Sequence, residues 1–333
     1  MHTHFFPESW PDLAQRFGTP EWPSIRHSGD GKAMILVGDR EFRPITSACW
    51  DPDTRLAEMD RDDVDLQILC ATPVLFAYMR PSGHALECAR MFNDAALELC
   101  ARGRNRLRAL CQVPLQDTDA ACRELTRCMK AGHVGVQIGN HVGDRDLDDA
   151  GIVEFLAHCA AEDAAVLVHP WDMLGGARTA QHMMGWTVSM PAETQLSIVS
   201  MMLGGAFDRL PKSLRICFAH GGGSFAFLLG RLENAWHNRD VARGTSEFPP
   251  SHYLDRFSVD SAVFDERALR LLVEVMGEER VMLGSDYPFP LGELRVGKLV
   301  RDSRSLSGAQ RARILGGNAG RFFGLSTADA ASS

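Results

Sequence analysis

Leu214-Arg-Ile-Cys-Phe-Ala-His220-Gly-Gly-Gly-Ser-Phe-Ala-Phe227 sets a strand, a turn and a helix start side by side. Residues 214–219 form a short, mostly apolar run that reads as a buried strand. The run stops at His220, three glycines follow, and Ser224, a good N-cap residue, opens a helical pattern. A titratable residue where a buried strand gives way to a glycine-rich turn fits a site at the carboxyl end of a parallel strand, and glycines there let backbone approach a ligand closely. Alone, such a histidine reads equally well as a hydrogen-bonded structural residue. The rest of the chain decides, because the pattern recurs in three other stretches.

Outward from His220, strand-like runs are predicted at 64–71, 107–113, 134–138, 165–168, 214–219, 257–259 and 281–283. Helical patterns fall between them at 83–102, 117–131, 151–162, 192–210, 224–237 and 265–276. Repeated strand-then-helix units imply parallel strands with crossover helices. With an eighth strand from the N-terminus, the expected architecture is α/β, a (β/α)8 TIM barrel. A doubly wound open sheet would favour a Gly-x-Gly-x-x-Gly turn after its first strand, and none is present. Residues 1–333 read as a single barrel domain. Residues from about 13 to 51 do not fit the repeat. They hold a hairpin-like piece, 34–37 and 41–45 about Gly38-Asp39, and are expected as an insertion over the barrel mouth. A second irregular stretch, 171–190, carries Gly175, Gly176 and two tryptophans, and long loops in compact barrels tend to be functional. The small, polar tail after Gly324 is expected to fray.

The bulk properties exclude several classes. At 333 residues and 45% hydrophobic content the chain can bury a sizeable core. A net charge of -8 with no basic cluster argues against a nucleic-acid partner. No run of eighteen apolar residues marks a membrane span, and the start, Met1-His2-Thr3-His4, lacks the basic and apolar regions of a secretory signal. The nine cysteines are scattered, with no Cys-x-x-Cys, and Cys70, Cys111 and Cys217 sit within apolar runs. They read as reduced core residues of a cytoplasmic protein.

Metal-ligand residue types stand at four strand ends. His2-x-His4 puts two imidazoles on one face of a strand. Val166-Leu-Val-His169, Phe218-Ala-His220 and Met282-Leu-Gly-Ser-Asp286 each end an apolar run on a His or Asp followed by turn residues. Three histidines and a carboxylate form a typical site for a divalent transition metal.

A histidine pair near the start, histidines after a fifth and a sixth strand and an aspartate after an eighth resemble the amidohydrolase superfamily. The stretches Cys70-Ala-Thr-Pro-Val74, Gly135-Val-Gln-Ile-Gly-Asn-His141, His169-Pro-Trp-Asp-Met173, Met190-Pro-Ala-Glu-Thr194 and Gly284-Ser-Asp-Tyr-Pro-Phe-Pro-Leu-Gly-Glu293 narrow the match. With the His220 stretch and residues 51–60, they are similar to the 2-amino-3-carboxymuconate 6-semialdehyde decarboxylase family over nearly the whole chain. The resemblance implies one zinc ion per chain on His2, His4, His169 and Asp286, with His220 as catalytic acid/base beside a metal-bound water and Asp286 also catalytic. It implies that Arg43 binds a substrate carboxylate, that Trp186 and Phe289 line the pocket, and that Arg231 enters the neighbouring subunit's site in a homodimer. The implied reaction is an oxygen-independent, non-oxidative decarboxylation of a small anionic dicarboxylate, in tryptophan (kynurenine) catabolism or nitroaromatic degradation.

Without the resemblance, Arg43 and Arg231 read as solvated surface charges. Two departures from the family pattern stand out. Only Met1 precedes His2, so either the true start lies upstream or the first strand is short, with its two ligands expected to be loosely held. Gly38-Asp39-Arg40-Glu41 occupies a turn where the family often has a lysine, which adds negative charge near an anionic substrate. The same metal site would also serve a decarboxylase of aromatic o-hydroxy acids or a hydrolase of an amide or lactone. A scaffold without catalysis would not need the intact His and Asp set.

Overall fold

The computed structural model describes residues 1–325. The expected fraying tail therefore lies, from Ser326 on, outside the described residues. Eight short parallel strands form the centre: β1 (Thr3–Phe5), β2 (Gln67–Ala71), β3 (Leu107–Ala109), β4 (Gly135–Gly139), β5 (Ala165–His169), β6 (Ile216–Phe218), β7 (Ser258–Asp260) and β8 (Val281–Met282). They pair in sequence order as two arcs, β1 to β3 and β4 to β8. Single parallel bridges, Cys111 to Val136 and Thr3 to Tyr287, join the arcs at both seams. After the strands come α1 (Pro52–Arg61), α2 (Ser82–Arg102), α3 (Thr118–Ala131), α4 (Ala150–Ala161), α5 (Met190–Leu203), α6 (Phe225–Asn238), α7 (Glu266–Met276) and α8 (Asn318–Phe323). This is the TIM-barrel arrangement that the alternation predicts.

Strand side chains alternate between two faces, and each face has its own core. Val166, Val168, Ile216 and Phe218 point outward and pack with Leu156 and Ile198 of the helices. Cys70, Leu167, Cys217 and Ala219 fill the barrel interior. Burying each large aliphatic side chain contributes about 1.5–3 kcal/mol. Four of these helices start on aspartates, Asp51, Asp117, Asp149 and Asp265, whose carboxylates accept first-turn amide protons. Ser224 stands at the N-cap of α6, as expected, but its hydroxyl makes no capping bond. The helix expected over 192–210 is interrupted at Gly204-Gly205, where Gly205 takes φ 65°, and resumes only as Ala206–Arg209. All nine cysteines are free thiols, seven of them buried. No helix among the described residues is long and apolar enough to cross a membrane.

Between β1 and α1 the expected hairpin is part of a three-stranded antiparallel sheet, Pro23–Gly29, Lys32–Val37 and Arg40–Thr46. The strand 23–29 is absent from the sequence reading because most of its side chains are exposed, so it lacks an apolar alternation. Asp30 and Gly31 link it to the next strand with φ 50° and 67°, the Asp-Gly signature of a tight hairpin turn.

Candidate active site

The strand ends bring four predicted ligands together. His2 stands just before β1 and His4 within it, with their rings converging, His169 is the last residue of β5, and Asp286 follows β8. One potential ligand atom from each lies within 4.8 Å of the others, and all four residues are buried. The Nε2 atoms of His2 and His4 are 3.1 Å apart, and Asp286 Oδ1 is 3.0 Å from His4 Nε2 and 3.7 Å from His2 Nε2.

The hydrogen bonds behind these rings fix what they present. His2 Nδ1 donates to Asp260 Oδ2 at 2.7 Å and His169 Nδ1 to the Pro170 carbonyl at 2.8 Å. In the neutral tautomers this leaves each Nε2 as a bare lone pair, and His169 Nε2 is buried without a hydrogen-bond partner. Burial pushes His4 down to about 4 and His169 well below its ordinary value, so both are neutral near pH 7. Burial alone would raise the Asp286 carboxyl. The His4 hydrogen bond, and the charges that His4, His2 and His220 carry once acid protonates them, outweigh it and hold the group well below the usual carboxylate range. Convergent imidazole lone pairs beside a carboxylate, buried at the floor of a cavity, are a cluster that a divalent cation would satisfy.

The short first strand is nevertheless firmly held, contrary to the expectation of loose ligands. Thr3, His4 and Phe5 pair with Leu69, Cys70 and Ala71. The His2 carbonyl accepts the Asp286 amide at 3.1 Å, the His4 amide donates to the Tyr287 carbonyl at 2.6 Å, and buried Arg55 donates to the His4 carbonyl at 2.6 Å. β1 is clamped from both sides and from below.

His220 follows β6 with its ring centroid 5.0 Å from those of His2 and His169. Both its ring nitrogens are buried without a hydrogen-bond partner. Burial lowers its pKa, so it too is neutral near pH 7. His220 and Asp286 both adopt left-handed backbone, φ 54° and 56°, a conformation costing about 1–3 kcal/mol that surrounding structure must hold. The three glycines serve that backbone more than a ligand. Gly221, Gly222 and Gly223 all take positive φ, and a Cβ on Gly223 would lie 2.1 Å from the Pro191 carbonyl oxygen.

Above this cluster opens a cavity of about 490 Å³. Arg43, Trp186 and Phe289 line it, as does Phe42 of the three-stranded antiparallel sheet. The Arg43 guanidinium lies 4.3 Å from the Phe289 ring centroid, and Phe289 in turn stacks on His4 at 5.1 Å. Among the described residues Arg43 pairs with no carboxylate and is the only Arg or Lys lining the cavity. Arg231 is placed elsewhere: it is exposed on α6 and does not line this cavity. A larger space of about 580 Å³ beside Met1, Leu283 and Gly320 has no such ligand cluster among the described residues.

Asp260 is a residue of this cluster that the sequence analysis does not single out. It ends β7, is fully buried, and accepts from His2 through Oδ2 and from the Gly221 and Ala262 amides through Oδ1, at 2.9 and 3.1 Å. The signal was present, since this apolar run also ends on a carboxylate.

The family described as Amidohydrolase matches residues 1–325. The 2-amino-3-carboxymuconate-6-semialdehyde decarboxylase of Dictyostelium discoideum is 43% identical, over 98% of this chain and 91% of that protein. The protein of the same name from Caenorhabditis elegans is 31% identical, over 96% and 92%. A solved dihydroxybenzoic acid decarboxylase from Polaromonas sp. JS666, with bound manganese and 2-nitroresorcinol, superposes with a TM-score of 0.77 at 26% identity, over 85% of this chain and 89% of that one. The fold, the strand-end cluster and relatives matching nearly end to end lead to one assignment: the chain belongs to the amidohydrolase family, in the branch of metal-dependent carboxy-lyases that includes the 2-amino-3-carboxymuconate-6-semialdehyde decarboxylases.

Proposed function

We propose that the protein decarboxylates 2-amino-3-carboxymuconate 6-semialdehyde to 2-aminomuconate 6-semialdehyde and carbon dioxide, with one zinc ion per chain and without oxygen. The observation that carries this reading is the convergence of His2, His4, His169 and Asp286 within 4.8 Å beside a cavity with one uncommitted arginine. In this reading those four residues hold the zinc. When bound, the ion supplies positive charge against the substrate and lowers the pKa of a coordinated water toward neutrality.

The chain's own residues account for the rest. The Arg43 fork binds one substrate carboxylate, and its stacking on Phe289 fixes where that carboxylate lies relative to His4. Trp186 and Phe289 give the cavity apolar aromatic walls. The carbon that loses carbon dioxide must gain a proton. His220, neutral and with both ring nitrogens uncommitted, can take up one solvent proton at a ring nitrogen and pass it to that carbon, so that carboxylate plus proton becomes C–H plus carbon dioxide. Asp286 holds negative charge against His4 throughout.

A dicarboxylate has a second charge, and no second cation of this chain lines the cavity among the described residues. We assign that role to Arg231 of a second copy in a homodimer. Support comes from its exposure on α6 and from Phe227, 79% exposed on the same helix. We read the chain as one cytoplasmic domain with residues 13–51 as an insertion, serving tryptophan catabolism or nitroaromatic degradation.

The test is metal-replete protein with freshly made semialdehyde, followed by loss of its absorbance and release of carbon dioxide. A γ-resorcylate assay runs in parallel, because the flat aromatic walls at Trp186 and Phe289 would also accept a ring. Turnover of resorcylate alone would move the assignment to an aromatic substrate.

A further inference from the structure

The loop between β5 and α5 forms one wall of the cavity through Trp171, Met173 and Trp186. Its outer side is solvent-exposed, Leu174 by 48% and Val188 by 55%. Such a loop needs anchors, and they gather at its base. The Trp171 amide donates to Asn140 Oδ1 at 2.9 Å and its indole N–H to the His141 carbonyl at 2.8 Å. The His141 ring lies over the indole at 5.5 Å between centroids. The Trp171 indole also rests on bare backbone, for a Cβ on Gly139 would sit 2.6 Å from its Cδ1.

His141 bridges two elements. Its Nδ1 is 2.8 Å from the Gly143 carbonyl oxygen and its Nε2 is 3.1 Å from that of Asp172. Carbonyl oxygens only accept, so both bonds form together only when both ring nitrogens carry protons. The counter-charge is at hand: Glu193 Oε1 is 4.0 Å from Nε2, and Glu193 is only 3% exposed. Glu193 Oε2 accepts the Leu174 amide at 3.0 Å. Burial raises the Glu193 carboxyl, and the Leu174 N–H and the His141 charge oppose that rise.

We propose that His141 and Glu193 form a latch that fixes the base of the β5–α5 loop and thereby sets the wall against which the substrate lies. They are positioning residues, as neither lines the cavity. This gives a purpose to two sequence motifs, Gly139-Asn140-His141 and Met190-Pro-Ala-Glu193, that the metal site leaves unexplained. The inference rests on the substrate site proposed above, but the latch itself can be read without substrate.

The experiment compares wild type, Glu193→Ala and Glu193→Gln. Tryptic cleavage after Arg178, which is exposed within the loop, is timed under native conditions alongside metal content, kcat and KM. Losing a charge-assisted bond should speed cleavage and raise KM about tenfold in Glu193→Ala. Metal content should hold and kcat should stay within about threefold. Glu193→Gln keeps an acceptor for Leu174 and should fall between; it carries the test if Glu193→Ala does not fold. Wild-type cleavage rates in both variants would overturn the latch. Faster cleavage with unchanged KM would overturn its link to the substrate, as would metal lost in step with activity. A wild type without decarboxylase activity would sink the functional reading, while the cleavage rates would still decide on the latch.

Discussion

His2 Nδ1 lies 2.7 Å from Asp260 Oδ2, and the other oxygen of the same carboxylate holds the amide of Gly221, the residue after His220. One buried side chain thus orients a proposed metal ligand and supports the left-handed backbone of the proposed acid/base. The fit is close: a Cβ on Gly284 would sit 2.6 Å from Asp260 Oδ2.

Asp260→Asn should therefore bind metal more weakly. An amide cannot accept from His2, Gly221 and Ala262 with both of its heavy atoms, so at least one donor is left facing an NH2 group. Loss of such a partner behind a metal-bound histidine typically costs 10–100-fold in affinity. A chelator titration reads it directly, and an affinity equal to wild type would show that Asp260 does not orient His2.

Removing a ligand and removing the acid/base should separate. His169→Ala should lose both metal and turnover, since it deletes one of four convergent atoms. His220→Ala should keep about one metal per chain and lose about 10²–10⁴-fold in kcat. Metal analysis of the two purified variants checks this, and a metal-free His220→Ala protein would make His220 a ligand.

Arg43→Ala should mainly raise KM, because the guanidinium touches the Phe289 face and no catalytic group of this chain. Arg43→Lys should recover only part of the loss, since an ammonium cannot make a bidentate fork. An unchanged KM would return Arg43 to the solvated charge that its sequence context alone implies.

The centre of this site was legible because strand ends are marked twice, by the close of an apolar run and by the polar residue that closes it. His169, His220 and Asp286 carry both marks. Asp260 carries them too, but its partners, His2 and Gly221, lie far away in the chain and only the closed barrel brings them to it. The His141–Glu193 pair joins two elements in the same way. The strand Pro23–Gly29 was illegible for the opposite reason: exposed on most of its length, it has no burial pattern to read, and Asp30-Gly31 was its one local sign.

Metal-free protein should lose stability as pH falls below neutrality. Burial holds His4 at about 4 in the folded state against an ordinary 6.5, and lowers His169 and His220 as well. The unfolded chain therefore binds more protons in that window, and stability rises with pH and falls as pH drops. His4 alone accounts for about 3 kcal/mol lost between pH 6.5 and 4. The lowered carboxylates Asp260 and Asp286 act in the same sense, but below their ordinary 3.8. Urea midpoints in chelator at pH 7.5, 6 and 5 should fall steadily, and a flat series would mean that the histidines are solvated without metal.

The last prediction concerns assembly. Arg231 is exposed on a helix outside the cavity, so in the proposed dimer it completes the partner's site rather than its own. Arg231→Ala and His220→Ala should each be nearly inactive alone. Mixed under conditions that exchange subunits, a dimer with one chain of each kind has one site with intact His220 that receives Arg231 from the other chain. Its second site has neither. Random pairing places half of all chains in mixed dimers, so about a quarter of all sites become competent in a two-fold symmetric dimer. If Arg231 serves the site of its own chain, every site in the mixture keeps one defect and mixing restores nothing. Mixing each variant with itself under the same exchange conditions controls for refolding, and recovery limited to the mixed sample would place Arg231 across the interface.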